Sequence, residues 1–178
     1  VRPMKLTERD IEIDFTDAQD AFVFDQMVKT LPKYHGIGQM HRVDFIVDMP
    51  DYVAYVEIKD PVLRPEYPEQ ARQFLEEVND GTLGLLFAEK LKATFIYGWA
   101  EEKALKPVRY FSLVLLETPM TLVLSESILR RLPPTGKPKK CRWKRPFLTA
   151  VGVFNLDTWN ENFPNWPARR IAALGGAK

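Results

Sequence analysis

The sequence predicts an α+β fold, a mixed α/β arrangement with one central mixed sheet flanked by helices. Three observations predict it. Arg42 to Asp48 and Tyr52 to Lys59 are rich in Val, Ile, Phe and Tyr, and Met49-Pro50-Asp51 between them has turn chemistry, so the pair reads as a hairpin. Stretches with apolar residues at three- and four-residue spacing lie before and after that hairpin, as in helices that pack one face on a sheet. Further strand-like runs follow, giving the order helix, hairpin, helix, strand, strand.

Taken in order, Thr16 or Asp17 caps an expected helix to about Lys33, with Ala21, Phe24, Val28 and Leu31 on one stripe. Pro32, Gly36 and Gly38 end it. After the hairpin, Pro61, Pro65 and Pro68 punctuate a connection. A helix then runs from about Pro68 to Asn79, with Ala71, Phe74, Leu75 and Val78 as its stripe and Gly81 as its stop. A short helix is expected at Leu83 to Lys90, and strands at Ala93 to Trp99 and Arg109 to Leu116. Thr121 to Leu124 adds a little sheet, and Ser125 caps a short helix through Leu132. Pro133 to Lys144 is a basic, Pro-rich loop, and Phe147 to Phe154 is a buried strand. The tail from Asn155 to Trp166 has no clear period, and its Trp159, Phe163 and Trp166 are expected to cover a core edge.

At 178 residues with 46% apolar and 28% charged, the chain suits a single domain with a real core, and a disordered chain is excluded. No apolar run is long enough for a spanning helix, so no membrane partner is expected. The first residues lack the apolar region of a secretory signal. The single Cys141 makes neither an internal disulfide nor a thiolate zinc cluster, which points to a reducing, cytoplasmic setting. No His-Glu-x-x-His or Gly-x-Ser-x-Gly occurs, and Thr135-Gly136-Lys137 lacks the glycines of a phosphate loop. His35 and His41, beside glycines, read as turn residues.

The net charge of +1 hides a segregation. Between Ser127 and Leu156 there is no acid but eight basic residues, including Lys137, Lys139, Lys140, Arg142, Lys144 and Arg145. Without those eight, 17 basic residues face 24 acidic ones. Glu8 to Asp25 holds seven acids against Arg9 alone. The basic loop, with Trp143 inside it, suits a polyanion, and part of the acidic stretch suits a cation; the alternative for each is a solvated surface.

The hairpin carries the chemistry. Side chains alternate along a strand, so Glu57 and Lys59 share a face. An even-numbered turn sets Asp44 opposite Glu57, with β-carbons about 4.5–5.5 Å apart. Carboxylates that close need a proton or a cation between them. A hard divalent ion such as Mg²⁺, with Mn²⁺ as its substitute, meets that need. An odd-numbered turn slips the register and sends Asp44 to the opposite face.

Asp44 followed by Glu57-Ile58-Lys59 on the next strand resembles the PD-(D/E)XK, or restriction-endonuclease-like, nuclease superfamily. The resemblance covers about residues 17–99 as a nuclease-like core, in the order helix, strands, helix, strand, and leaves about 100–178 as an extension bearing the basic loop. It implies a restriction-endonuclease-like core and metal-dependent hydrolysis of phosphodiester bonds, usually in DNA. Carried over, Asp44 and Glu57 are metal ligands, the Ile58 carbonyl completes the site, and Lys59 assists the nucleophile. An added acid from the first helix falls on Asp20, with Asp17 as competitor. Tyr67-Pro68-Glu69-Gln70-Ala71-Arg72-Gln73-Phe74 resembles the Tyr-x-x-Gln-x-x-x-Tyr pattern of some members, making Gln70 an accessory candidate, although Phe74 replaces the last Tyr. Val43 stands where the literal motif has Pro.

The expected function is therefore a Mg²⁺-dependent nuclease acting on DNA rather than RNA, with the 137–145 loop gripping the backbone. The alternative is a non-catalytic nucleic-acid-binding or assembly module on the same fold. An oligomer or a protein partner is compatible with either.

Overall fold

A computed structural model describes residues 4–61 and 68–171. Its elements are β1 (Lys5–Glu8), β2 (Ile11–Asp14), β3 (Asp20–Val23), β4 (Phe45–Asp48), β5 (Val53–Lys59), α1 (Pro68–Asp80), α2 (Thr82–Ala100), β6 (Val108–Val114), α3 (Thr118–Leu129), β7 (Ala150–Phe154), α4 (Leu156–Asn162) and β8 (Ala168–Arg170). A five-stranded mixed sheet has the order β3-β4-β5-β6-β7, and a three-stranded sheet the order β1-β2-β8. β3, β4 and β5 are antiparallel neighbours, whereas β5, β6 and β7 run parallel. The class is α+β.

The strands form where the sequence is richest in β-branched and aromatic residues, and both faces of the large sheet are covered. On one face Tyr55, Val108, Tyr110 and Val114 pack against Phe74 and Val78 of α1, Phe87 and Leu91 of α2, and Leu124 and Ile128 of α3. On the other, Phe45, Val47, Val56, Phe111 and Leu113 meet Ile11, Ile13 and Phe15 together with Trp159 and Trp166. The molecule thus has three layers: helices, the large sheet, and the small sheet with α4. The tail covers a core edge as its aromatic content predicts. Phe163 stacks on Trp166, and the Trp159 indole donates to the Trp166 carbonyl at 2.7 Å. An Asn155–Thr158 capping box starts α4.

Several expectations are corrected. The helix expected from Thr16 or Asp17 to Lys33 is absent; strand β3 occupies part of it, and residues 24–44 have no regular structure. The apolar spacing was misleading there, because Met27, Val28 and Leu31 are exposed, while Ala21 to Val23 pair with Phe45 to Val47. The strand expected at Ala93 to Trp99 is the second half of α2, which continues through it from Thr82. The strand that follows the helices is β6 (Val108–Val114), beyond the 17–99 span over which the order helix, strands, helix, strand was expected. Thr121 to Leu124 is helical, inside α3. The β1–β2 hairpin, α4 and β8 went unread, and β8 pairs with β2, tying the end of the chain to its beginning.

The expected stop at Gly81 holds: with φ at 85° it takes the left-handed conformation between α1 and α2. Three residues on, α2 presses against α3, and a β-carbon on Gly84 would stand 3.1 Å from the Ser127 carbonyl carbon. Gly84→Ala is therefore expected to destabilise the fold by about 1–3 kcal/mol through overpacking, despite alanine's better helix propensity. Denaturant unfolding checks this; an unchanged or raised midpoint contradicts the tight α2–α3 contact.

Candidate metal and nucleic-acid site

The β4–β5 register decides the site. Phe45 faces Val56 and Asp48 faces Val53, so the hairpin loop holds the four residues Met49 to Tyr52, an even number. Met49 N–H closes it by donating to the Tyr52 carbonyl at 2.9 Å. Continued by one step, the register sets Asp44 opposite Glu57, and both side chains turn toward the helix layer. Glu57 is 2% exposed and Asp44 6%.

Three segments clamp Asp44 in place. Its carboxylate Oδ2 accepts from the Ile58 N–H at 2.6 Å, and its carbonyl accepts from the Phe24 N–H at 2.7 Å. The preceding Val43 N–H donates to Thr94 Oγ1 of α2 at 3.1 Å. Glu57 sits beside its β6 register partner Ser112, which is fully buried. The same helix delivers Lys90, whose Nζ lies 2.5 Å from Glu57 Oε1 and 3.8 Å from Asp44 Oδ1. Glu57 Oε2 has no hydrogen-bond partner among the described residues.

Around this pair lies a polar cleft of about 190 Å³, lined also by Lys59, Glu8 and Arg9 of the β1–β2 hairpin, Asp25 and Asp60. Arg9 takes φ of 55° in the tight hairpin turn, and Arg170 holds the neighbouring Asp60 at 2.8 Å. Burial raises the Asp44 carboxyl to about pH 6, against attraction from Lys90 and the Ile58 N–H. Burial, then repulsion from Asp44, pushes Glu57 well above the ordinary carboxylate range. For Lys90, burial favours the neutral amine, but Glu57 and Asp44 outweigh it and the ammonium is held above its usual value. Lys59 also favours ionised Glu57.

The other sequence-picked residues fall elsewhere. Asp20 is not at this cleft. It faces Asp48 at the far end of β3, about 13 Å along the strand from Asp44, and pairs with Lys33 at 2.7 Å. The strand that replaced the expected helix put it there. Asp17 accepts from the Trp166 indole and serves the core edge. Gln70 is exposed in the first turn of α1 and does not line the cleft, and Tyr67 of its pattern lies outside the described residues. His35 is buried against Phe24 and Tyr34, with Nδ1 accepting from the Ile37 N–H. The basic loop is anchored where Thr149 N–H donates to the Val108 carbonyl, at the start of β6, whereas Glu57 and Lys59 face Ser112 and Val114 near its end. The loop bearing Lys137, Lys139, Lys140, Arg142, Lys144 and Arg145 thus enters at the opposite end of the sheet, its anchor roughly 13 Å by strand rise from the level of Glu57 and roughly 20 Å from that of Lys59. Trp143 is half-exposed there, over a hollow shared with Phe95 and Phe147.

The donor set suits a hard cation. Each carboxylate has one oxygen engaged, Asp44 Oδ2 by the Ile58 N–H and Glu57 Oε1 by Lys90, which leaves Asp44 Oδ1 and Glu57 Oε2. Among the described residues no three His, Cys, Asp or Glu residues gather as a closed metal cage. Two carboxylates with water and a substrate phosphate making up the shell is the usual manner of Mg²⁺. Among the described residues no helix is long and apolar enough to cross a membrane. No protein-family model, curated protein or solved structure matches the chain.

The raised acids carry a sign for stability. A carboxyl whose folded-state pKa lies above its unfolded value adds stability that is complete below about pH 4 and is lost as pH rises through about 6. In metal-free buffer, Asp44→Asn is expected to raise the melting temperature at pH 8 and to leave it nearly unchanged at pH 4. The gain at pH 8 is at most about 3 kcal/mol. Melting curves across that range check it; a variant less stable than the wild type at pH 8 contradicts the reading.

Proposed function

We propose that the chain is a divalent-metal-dependent nuclease with a restriction-endonuclease-like core, hydrolysing phosphodiester bonds in DNA. The observation that carries this reading is the buried Asp44–Glu57 pair, set face to face by the hairpin register with Lys59 on the same strand face. The topology supports it. Three antiparallel strands, then helices, then β6 parallel to the Glu57 strand agree with the strands, helix, strand part of the order expected from the resemblance. The leading helix of that order has no counterpart among the described residues.

In this reading the Asp44 and Glu57 carboxylates would hold the cation, in the cleft that Ile58 also lines. Mg²⁺, or Mn²⁺ in its place, would supply Lewis-acid polarisation of a phosphoryl oxygen and activation of water there. The Ile58 N–H fixes the Asp44 carboxylate so that no reorientation is needed. Lys59 holds the attacking water or offsets charge developing on the phosphate. Burial excludes bulk water and strengthens each of these interactions. Glu57→Ala is expected to lower Mg²⁺-dependent cutting of plasmid and linear DNA at least a hundredfold, with EDTA abolishing cutting in the wild type. Cutting that persists in the variant, or in EDTA, refutes the site.

The non-catalytic alternative draws on one observation, the Lys90 ammonium that already compensates both acids. DNA binding without metal-dependent cutting would favour it. In either reading the basic loop contributes phosphate contacts remote from the cleft. Replacing Lys139, Lys140 and Arg142 by Ala is expected to weaken DNA binding and to make the slope of log K against log salt shallower by roughly 2–3. In the nuclease reading, turnover at saturating DNA stays unchanged. Binding titrations at several salt concentrations check this, and an unaltered slope removes the loop from the interface.

A further inference from the structure

We propose that the Lys90 ammonium is a built-in occupant of the cation position, a counter-ion that a divalent metal must displace before the cleft can act. This rests on the metal-dependent reading of the same cleft and adds to it a residue that controls access to the metal.

Three observations carry the inference. First, Lys90 Nζ lies within ion-pair distance of both acids, 2.5 Å from Glu57 Oε1 and 3.8 Å from Asp44 Oδ1, where a shared cation would bind. Second, hydrogen bonding to the pair is incomplete: Lys90 reaches Glu57 through Oε1 alone, and among the described residues the buried Glu57 Oε2 lacks a hydrogen-bond partner. A divalent ion balances both charges and engages that oxygen. Third, the backbone and the charge are separable. The α2 backbone is fixed against the site by buried Leu91 and by the Thr94–Val43 hydrogen bond. The Lys90 side chain keeps 18% exposure at the cleft, and a lysine charge rides on a flexible four-carbon stem. Its ammonium can therefore withdraw while α2 stays in place, toward the open side of the cleft, where Asp25, paired with Arg42 at 2.9 Å through Oδ1, also acts on its charge.

Competition has a numerical consequence. When the binding-competent state is a fraction of the whole, apparent affinity falls by that fraction, and removing the competitor restores it. Lys90→Met keeps the stem and removes the charge. Isothermal titration calorimetry of Mn²⁺ into metal-free protein is expected to give at least a tenfold lower Kd for Lys90→Met than for the wild type. No binding is expected for Glu57→Gln. In the wild type, saturating Mn²⁺ is expected to raise acetylation of Lys90 by an amine-reactive reagent several-fold, read by mass spectrometry; this arm needs no folded variant. Binding seen only in Lys90→Met also supports the proposal. It is overturned, with the metal reading intact, if the wild type binds Mn²⁺ while Lys90→Met binds no more tightly. Unchanged Lys90 labelling at saturating Mn²⁺ overturns it in the same way. If neither protein binds Mn²⁺, both the metal reading and this proposal fall.

Discussion

Two carboxylates facing each other inside a protein cannot both carry charge unless something positive stands between them. Asp44 and Glu57 are in that position, and much of the surrounding structure answers to it. The hairpin supplies the opposition, because a four-residue loop keeps both acids on one face. The Ile58 N–H satisfies one Asp44 oxygen and α2 delivers an ammonium to the other side. Burying charged groups here costs desolvation that an ion pair repays only in part. Two acids there, with Lys90 reaching both, are what the proposed exchange of counter-ion requires.

The hairpin was legible because its signal is local. Alternation in Val53-Ala54-Tyr55-Val56-Glu57-Ile58-Lys59 places Glu57 and Lys59 on one face whatever the rest of the chain does. Opposition of Asp44 needed one further fact, the parity of the turn, and the sequence left that as a condition. The α1 helix and the Gly81 stop were legible for the same reason, since stripe and breaker lie within one short window.

Lys90 was not legible, because nothing local connects it with residues over thirty positions earlier. The segment carrying it also reads two ways. Phe95-Ile96-Tyr97-Gly98-Trp99 favours a strand by propensity, but the segment continues the helix begun at Thr82, packed between the sheet and α3. The acid expected from a first helix fails differently. The spacing of Ala21, Phe24, Val28 and Leu31 imitates a helical stripe, yet pairing of residues 20–23 with β4 prevails and carries Asp20 to the wrong end of the sheet. The acidic stretch from Glu8 to Asp25 does lend Glu8 and Asp25 to the cleft, so its charge was informative even where its secondary structure was misread.

The separation of the two charged regions constrains any shared ligand. The acidic cleft lies toward the carboxyl end of the parallel strand β5, the end where open α/β sheets usually place their ligands. The basic loop enters at the opposite end, beside the start of β6. In the proposed reaction its cations therefore stand away from a phosphate placed at Glu57. By strand rise the loop's anchor stands roughly 13 Å from the level of Glu57, about four base-pair steps of duplex. A duplex touching both regions has to run along the sheet direction, held at one end by phosphate contacts while the other meets the acids. Under the proposed function, positive charge at the phosphate would come from within the cleft, from Lys59, Arg9, Lys90 or a bound cation. Of these, the lysine already pinned between the acids is the one whose position has to change if a cation enters.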